Sequence, residues 1–151
     1  MGLLALDPEF GRFGERVKHL PFVHWMEVPA VLNSMDINLA PLEQGNMFCR
    51  AKSELKYFEA AILAVPTVAS RIDPFEFAIV SGENGFLAGD TAEWIKALEA
   101  LIEDPALRRT IGERARADVY RRYVPEVRGR ELVDILNTMW DNARKERTGT
   151  F

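Results

Sequence analysis

The sequence is poor in cysteine, in long hydrophobic runs and in excess charge of either sign. Cys49 is the only cysteine of 151 residues, which excludes an internal disulfide and a cysteine-based zinc site and favours a reducing compartment. The longest uncharged apolar run, residues 60–69, is too short to span a bilayer and contains Pro66. With 19 basic and 23 acidic residues the net charge is −4, so we expect no nucleic-acid partner.

Several common catalytic and cofactor motifs are also missing. The sequence contains no P-loop and no Gly-x-Gly-x-x-Gly pattern, and no Asp-x-Asp pair ends a strand. We therefore expect neither a catalytic metal nor a bound cofactor. The N-terminus MGLLALDPEF has no basic region and no cleavage site, so it does not resemble a signal peptide. These absences together predict a cytoplasmic protein.

What the sequence does contain is an alternation of short apolar runs with helical patterns. The five runs are residues 3–6, 17–23, 37–42, 66–70 and 85–88. The helical patterns cover 28–35, 53–64, 74–80, 90–104, a stretch after Pro105, and Pro125 to Ala143, where Leu132, Ile135, Leu136, Met139 and Ala143 form one stripe. This alternation predicts an α/β, doubly wound parallel sheet of about five strands with C-terminal helices.

The domain boundaries follow from the same patterns. We expect one domain over residues 1–144 and a polar tail over 145–151. A doubly wound domain usually has about six strands, and this chain opens almost directly inside its first strand. We therefore expect the domain to lack its first βα unit.

The helix predicted from residue 53 carries the most informative pattern. Ser53 is suited to be its N-cap, and Glu59 falls at the edge of the apolar stripe. The N-terminus of this helix follows strand 37–42, at the sheet edge where α/β folds bind ligands. Free amides, Lys52 and Lys56 there would hold an anion such as phosphate, and Glu59 would accept hydrogen bonds from sugar hydroxyls. Alternatively, Glu59 and Lys56 are only a solvated pair.

The order of motifs along the chain resembles a known family. The stretch KSELKYFEAAILAVPTVAS, the acidic residue of FEFAIV, and the segments GENGFLAGD and LIEDPALRRTIGERAR are similar to the C-terminal half of group 1 glycosyltransferases with the GT-B fold. The resemblance runs from about Arg16 to about Ile135. It implies a Rossmann-like, nucleotide-sugar-binding domain of a retaining hexosyltransferase.

The resemblance also implies roles for individual residues. Glu59 matches the glutamate that binds the ribose of the donor, and the diphosphate would face the amides of Ser53, Glu54 and Leu55 beside Lys52. The glutamate that contacts the donor sugar matches Ala51, so this sequence departs from the family pattern. Four residues could replace that glutamate: Asn46, Arg50, Lys52 and Ser53.

The base pocket implied by the resemblance lies after the run 17–23. It would use the backbone of Val23, with His24 and Trp25 beside the base. Alternatively, His24 is a loop histidine that bonds a carbonyl, and Trp25 is a packing residue.

Partners and alternatives complete the expectations. The resemblance implies an N-terminal acceptor domain that this chain does not contain, so the chain alone would bind nucleotide weakly and turn over little. The alternatives are a non-catalytic nucleotide-binding or interaction module of the same fold, and a nucleotide-sugar epimerase. Residues 106–130 hold eight arginines and three acidic residues, which indicates a solvated helix face or contact with an anionic membrane surface.

Overall fold

A three-stranded parallel sheet forms the centre of the fold. The computed structural model describes residues 8–148, with side chains through residue 145. The strands are β1 (Asn38–Ala40), β2 (Thr67–Ser70) and β3 (Phe86–Ala88), in the order β1-β2-β3. Leu39 pairs with Val68, and Ala69 pairs with Leu87. Parallel neighbours need crossover connections, and helices supply them on both sides of β2.

Seven α-helices surround this sheet within the described residues. They are α1 (Val28–Asn33), α2 (Met47–Arg50), α3 (Leu55–Ile62), α4 (Asp73–Ala78), α5 (Thr91–Glu103), α6 (Pro105–Tyr123) and α7 (Pro125–Thr148). Two 3₁₀ segments, Pro8–Arg16 and Trp25–Glu27, precede α1. None of the helices over residues 8–148 is long and apolar enough to cross a membrane.

Helices cover both faces of the sheet, as the alternation of runs predicts. Every residue of β2 is buried. Because successive strand residues point to opposite faces, Ala69 packs into one core and Val68 into another. The first core takes buried residues from α3, α4 and α6, and the second takes Ala97 and Leu101 from α5. The predicted α/β class and parallel sheet are therefore confirmed.

The expected count of five strands is not confirmed. Residues 17–23 form no strand and are largely exposed, with Phe22 88% accessible. One physical reason is that Pro21 has no N–H to give to a sheet, and within residues 8–148 β1 pairs with β2 only. The run 3–6 lies outside the described residues. The other three predicted strands are present with shorter bounds.

The C-terminal helices agree with their predicted positions but differ in packing. The Asp90 side chain caps α5 by accepting from the Glu93 amide at 2.8 Å, as expected. Helix α7 continues to Thr148, beyond the predicted end at Ala143. Its predicted apolar stripe packs on no core of the described chain: Leu132, Ile135, Leu136 and Met139 are 54–62% exposed. Periodicity identified the face of α7 but not what would cover it.

The position of α3 depends on a close backbone contact with α6. Gly112 of α6 is buried, and a Cβ atom added there would lie 1.9 Å from the carbonyl oxygen of Ala64. Ala64 follows α3 in the left-handed region, at φ 57°. Only glycine leaves room for this approach, because the opposing atoms belong to the backbone and cannot rotate away.

Substitution of Gly112 by alanine tests this contact. We expect Gly112→Ala to lower the free energy of unfolding by about 2–3 kcal/mol, the upper range for overpacking. The matched control is Gly129→Ala, in α7, where an added Cβ meets nothing within 4 Å. The control should be neutral or gain about 0.5–1 kcal/mol from helix propensity. Urea unfolding followed by circular dichroism measures both, and equal values for the two variants would contradict the proposed contact.

Candidate functional site

The loop after β1 is tied to the carboxyl ends of the other strands. The Leu42 amide donates to the Ser70 hydroxyl at 2.8 Å, and Gln44 Nε2 donates to the Gly89 carbonyl at 2.8 Å. Asn46 then caps α2, since its Oδ1 accepts from the Phe48 amide at 3.0 Å. These bonds fix the start of α2 at the sheet edge where a ligand site was predicted.

The start of α3 differs from the prediction. Ser53 is not the N-cap: α3 begins at Leu55, and Glu54 is its N-cap residue. Helix α2 accounts for the difference, because its closing turn bonds the Lys52 amide to the Cys49 carbonyl and places Ser53 in the connection. The Glu54 side chain makes no capping bond. It accepts instead from the Tyr123 hydroxyl at 2.7 Å, which holds this carboxylate on the α6 side of the helix.

The predicted phosphate-binding residues lie around this helix start. Ser53, Glu54 and Leu55 line a cavity of about 210 Å³ together with Phe58 and Tyr123. Lys52 is exposed, and its Nζ lies 5.0 Å from the centre of the Phe48 ring. The structure thus brings Lys52, Ser53, Glu54 and Leu55 into one neighbourhood.

Glu59 lines a separate cavity between α1 and α3. This cavity has a volume of about 270 Å³ and is walled by Trp25, Val28, Pro29, Leu32, Glu59, Ile62 and Leu63. Glu59 is exposed and forms no ion pair with Lys56, although both side chains are described. The alternative of a Lys56–Glu59 pair therefore has no geometric support.

The residues of the expected base pocket are only partly brought together. Trp25 is 73% exposed and faces the cavity of Glu59, so it is not a core packing residue. His24 does not line that cavity. It caps the 3₁₀ segment, where its Nδ1 accepts from the Met26 amide at 3.4 Å and its own amide donates to Glu27 at 3.3 Å. The His24 and Trp25 rings are 5.6 Å apart, and Val23 just before them is half-buried.

No prediction from the sequence covered two residues that contact the candidate site residues, Tyr123 and Asp73. Tyr123 binds Glu54 from 69 positions along the chain, a distance at which no sequence signal was available. Asp73 forms an ion pair with Arg50 at 2.8 Å. A carboxylate that starts a helix shortly after a strand was a usable signal for Asp73, because ligands of α/β folds bind near the carboxyl ends of the strands.

Comparisons with known proteins identify the family of the chain. A family model described as glycosyl transferase-like matches residues 5–134, most of the chain. The chain belongs to this glycosyltransferase family. Among its relatives, the phosphatidyl-myo-inositol mannosyltransferase of Mycobacterium leprae is 30% identical over 87% of this chain and 35% of the relative. The trehalose synthase of Pyrococcus horikoshii is 27% identical over 78% of this chain and 27% of the relative. The glycosyltransferase chain thus spans about a third of the length of these relatives.

A solved structure shares the fold. HepE of Anabaena, determined in complex with UDP and glucose, superimposes with a TM-score of 0.71 at 21% identity, over 87% of this chain and 34% of HepE. The resemblance to group 1 glycosyltransferases of the GT-B fold is confirmed by the family match and by this likeness.

Most arginines of the arginine-rich stretch, residues 106–130, donate hydrogen bonds within this glycosyltransferase chain. Five of its eight arginines donate hydrogen bonds to other groups of the chain: Arg108, Arg121, Arg122, Arg128 and Arg130. Arg122, for example, reaches the Phe77 carbonyl at the end of α4 at 3.1 Å. Because these arginines already have partners within the chain, their number does not support contact with a membrane.

Tyr57 of α3 and Tyr123 of α6 give a matched test of how α3 is held against α6. The Tyr123 hydroxyl bonds Glu54, whereas the Tyr57 hydroxyl is buried without a partner among the described residues. We expect Tyr123→Phe to lower the free energy of unfolding by about 1–2 kcal/mol, since a bond to a charged group is lost. Tyr57→Phe should be neutral or stabilising, because it removes an unsatisfied buried group. Equal losses in the two variants would contradict this assignment.

The same bond predicts a pH dependence. Burial, together with the hydrogen bond to Glu54, raises the pKa of Tyr123 to about 12, against an ordinary value of 10.0. The folded pKa is the higher one, so this contribution to stability is present below pH 10 and is lost as the pH rises to about 12. The difference in unfolding free energy between the wild type and Tyr123→Phe should shrink over that interval. A constant difference would contradict the shift.

Proposed function

We propose that this chain is the donor-binding part of a retaining glycosyltransferase that uses a nucleotide diphosphate-sugar. The observation that carries the proposal is the placement of Glu59. It is an exposed carboxylate on the wall of a cavity of about 270 Å³ that Trp25 also lines, and its own helix begins next to Lys52 and Lys56. A carboxylate accepts hydrogen bonds only, which suits a pair of ribose hydroxyls. Trp25 offers an aromatic face to the base.

The diphosphate would lie at the N-terminus of the same helix. Leu55 and Glu59 are four residues apart, which is about 6 Å along the helix axis. The amides of Ser53, Glu54 and Leu55 and the ammonium of Lys52 would stabilise the negative charge that builds up on the leaving diphosphate. The bond from the Tyr123 hydroxyl fixes the position of the Glu54 carboxylate beside this helix start. Asn46 and Arg50, at the sheet edge, would face the sugar.

The acceptor half of the active site would come from another domain. Relatives are about three times as long as this chain, and HepE was determined with UDP and glucose over a far longer chain. A cleft between two domains would then enclose the reacting sugar, and the first βα unit of this domain would add further contacts to the diphosphate. Ala51, which places a methyl group where the family has a glutamate, favours a second candidate function. This is a nucleotide-binding module without transferase activity.

Nucleotide binding tests the assignment of Glu59. We expect UDP, GDP or ADP to raise the melting temperature of the chain, and the preferred nucleotide to bind Glu59→Gln about tenfold or more weakly. The expected loss reflects a hydrogen bond to a charged group, about 1.5–3 kcal/mol. The control is Glu99→Gln, which removes the same charge from an exposed position of α5. A shift that Glu59→Gln leaves intact would refute the ribose assignment, and no shift with any nucleotide would refute the proposed function.

Transfer activity tests the need for a second domain. We expect the chain alone to hydrolyse or transfer little of a nucleotide-sugar, because it contributes only one wall of the cleft. The measurement is release of the free nucleoside diphosphate over hours, with protein heated beyond its melting point as the blank. Robust turnover by this chain would overturn the expectation.

A further inference from the structure

An ion pair joins α2 to α4 beside the proposed sugar end of the site. Arg50 Nη2 lies 2.8 Å and Arg50 Nε 3.2 Å from the same atom, Asp73 Oδ2. Asp73 is the first residue of α4 and lies three positions after Ser70, the last residue of β2, so it is near the carboxyl end of the central strand. The pair therefore bridges two elements that follow neighbouring strands.

Both partners remain open to a ligand. Their side chains are 56% and 59% exposed. Asp73 Oδ1 and Arg50 Nη1 make no hydrogen bond to any other described residue. Among the described residues, one carboxylate oxygen is thus left to accept and one guanidinium nitrogen is left to donate. Vicinal sugar hydroxyls, each of which can donate and accept, match this arrangement.

The carboxylate also stays charged where it would be needed. The hydrogen bond from Arg50 lowers the pKa of Asp73 below its ordinary value of 3.8. An ionised acceptor forms stronger hydrogen bonds than a neutral one. Since only Oδ2 is used by Arg50, the charge of the carboxylate is available at Oδ1 as well.

The pair is adjacent to the position that lacks the expected glutamate. Ala51 follows Arg50 in the chain and has no polar group to offer a sugar. The Asn46 cap and the Gln44 bond to Gly89 hold α2 against the sheet edge, so Arg50 has a fixed base from which to orient Asp73. A carboxylate that can accept hydrogen bonds is therefore present near the carboxyl ends of the strands, but it is Asp73 of α4 and not a residue at position 51.

We propose that Asp73, oriented by Arg50, binds hydroxyl groups of the donor sugar and sets the sugar preference of this site in place of the residue at position 51. The inference rests on the proposed function, since it concerns the sugar of the same nucleotide-sugar. Asp73 is the specificity-determining residue, and Arg50 is a positioning residue that acts through it.

The test compares each nucleoside diphosphate with its glucose conjugate on the intact chain. Calorimetric titration with UDP and UDP-glucose, and with the GDP and ADP pairs, gives the factor by which the sugar tightens binding. We expect the wild type to bind the glucose conjugate about tenfold more tightly than the free diphosphate, because the sugar adds a charge-assisted hydrogen bond. In Asp73→Asn this factor should fall to about one, while the affinity for the free diphosphate changes by less than about twofold. Arg50→Gln should reduce the factor partially.

Controls separate this role from a structural one. Glu99→Gln removes one negative charge at a distance and should keep the wild-type factor. Melting temperatures of all variants show whether α4 is intact, and a purely structural role would weaken the diphosphate and its conjugate equally. If the chain binds nucleotide but Asp73→Asn does not change the factor by which the sugar tightens binding, this inference is wrong and the proposed function stands. A wild type that binds no nucleotide would overturn the proposed function and this inference with it.

Discussion

The backbone contact between α3 and α6 is the constraint on which the candidate site depends. Because Gly112 has no side chain, α6 lies directly against the turn that ends α3. At the other end of α3, Tyr123 of the same α6 binds Glu54. One helix therefore holds both ends of another, and the cavity of Glu59 and the cavity at Ser53 lie on a helix that is fixed along its whole length.

At the carboxyl ends of the strands, acidic and basic groups are separated in a way that would suit different parts of the proposed ligand. Lys52 and the first amides of α3 form a positive end, whereas Glu59 lies further along the helix and Asp73 on α4. Glu54 and Asp73 are each held by a neighbour, Tyr123 and Arg50. A diphosphate between two hydroxyl-rich groups has the complementary pattern of charge.

The sequence predicted features that depend on local residue patterns. It did not predict features that depend on contacts between distant parts of the chain. The parallel sheet followed from the alternation of apolar runs with helical patterns, and the membership in the glycosyltransferase family followed from the order of the motifs. The start of α3 was misplaced because the short α2 leaves no strong pattern, and residues 17–23 were misassigned because an apolar run does not reveal whether a neighbouring strand exists. The Arg50–Asp73 pair could not be foreseen, because it joins residues 23 positions apart through the sheet.

The contrast between a buried β2 and an exposed sheet edge has an evolutionary consequence. Every residue of β2 is buried, so most substitutions there would destabilise the chain. Arg50, Ala51 and Asp73 are all exposed, and substitutions at such positions usually alter stability by less than about 0.5 kcal/mol. If these residues bind the sugar as proposed, a lineage built on this scaffold would change its sugar through a few surface substitutions, while the residues of β2 stay under strong selection.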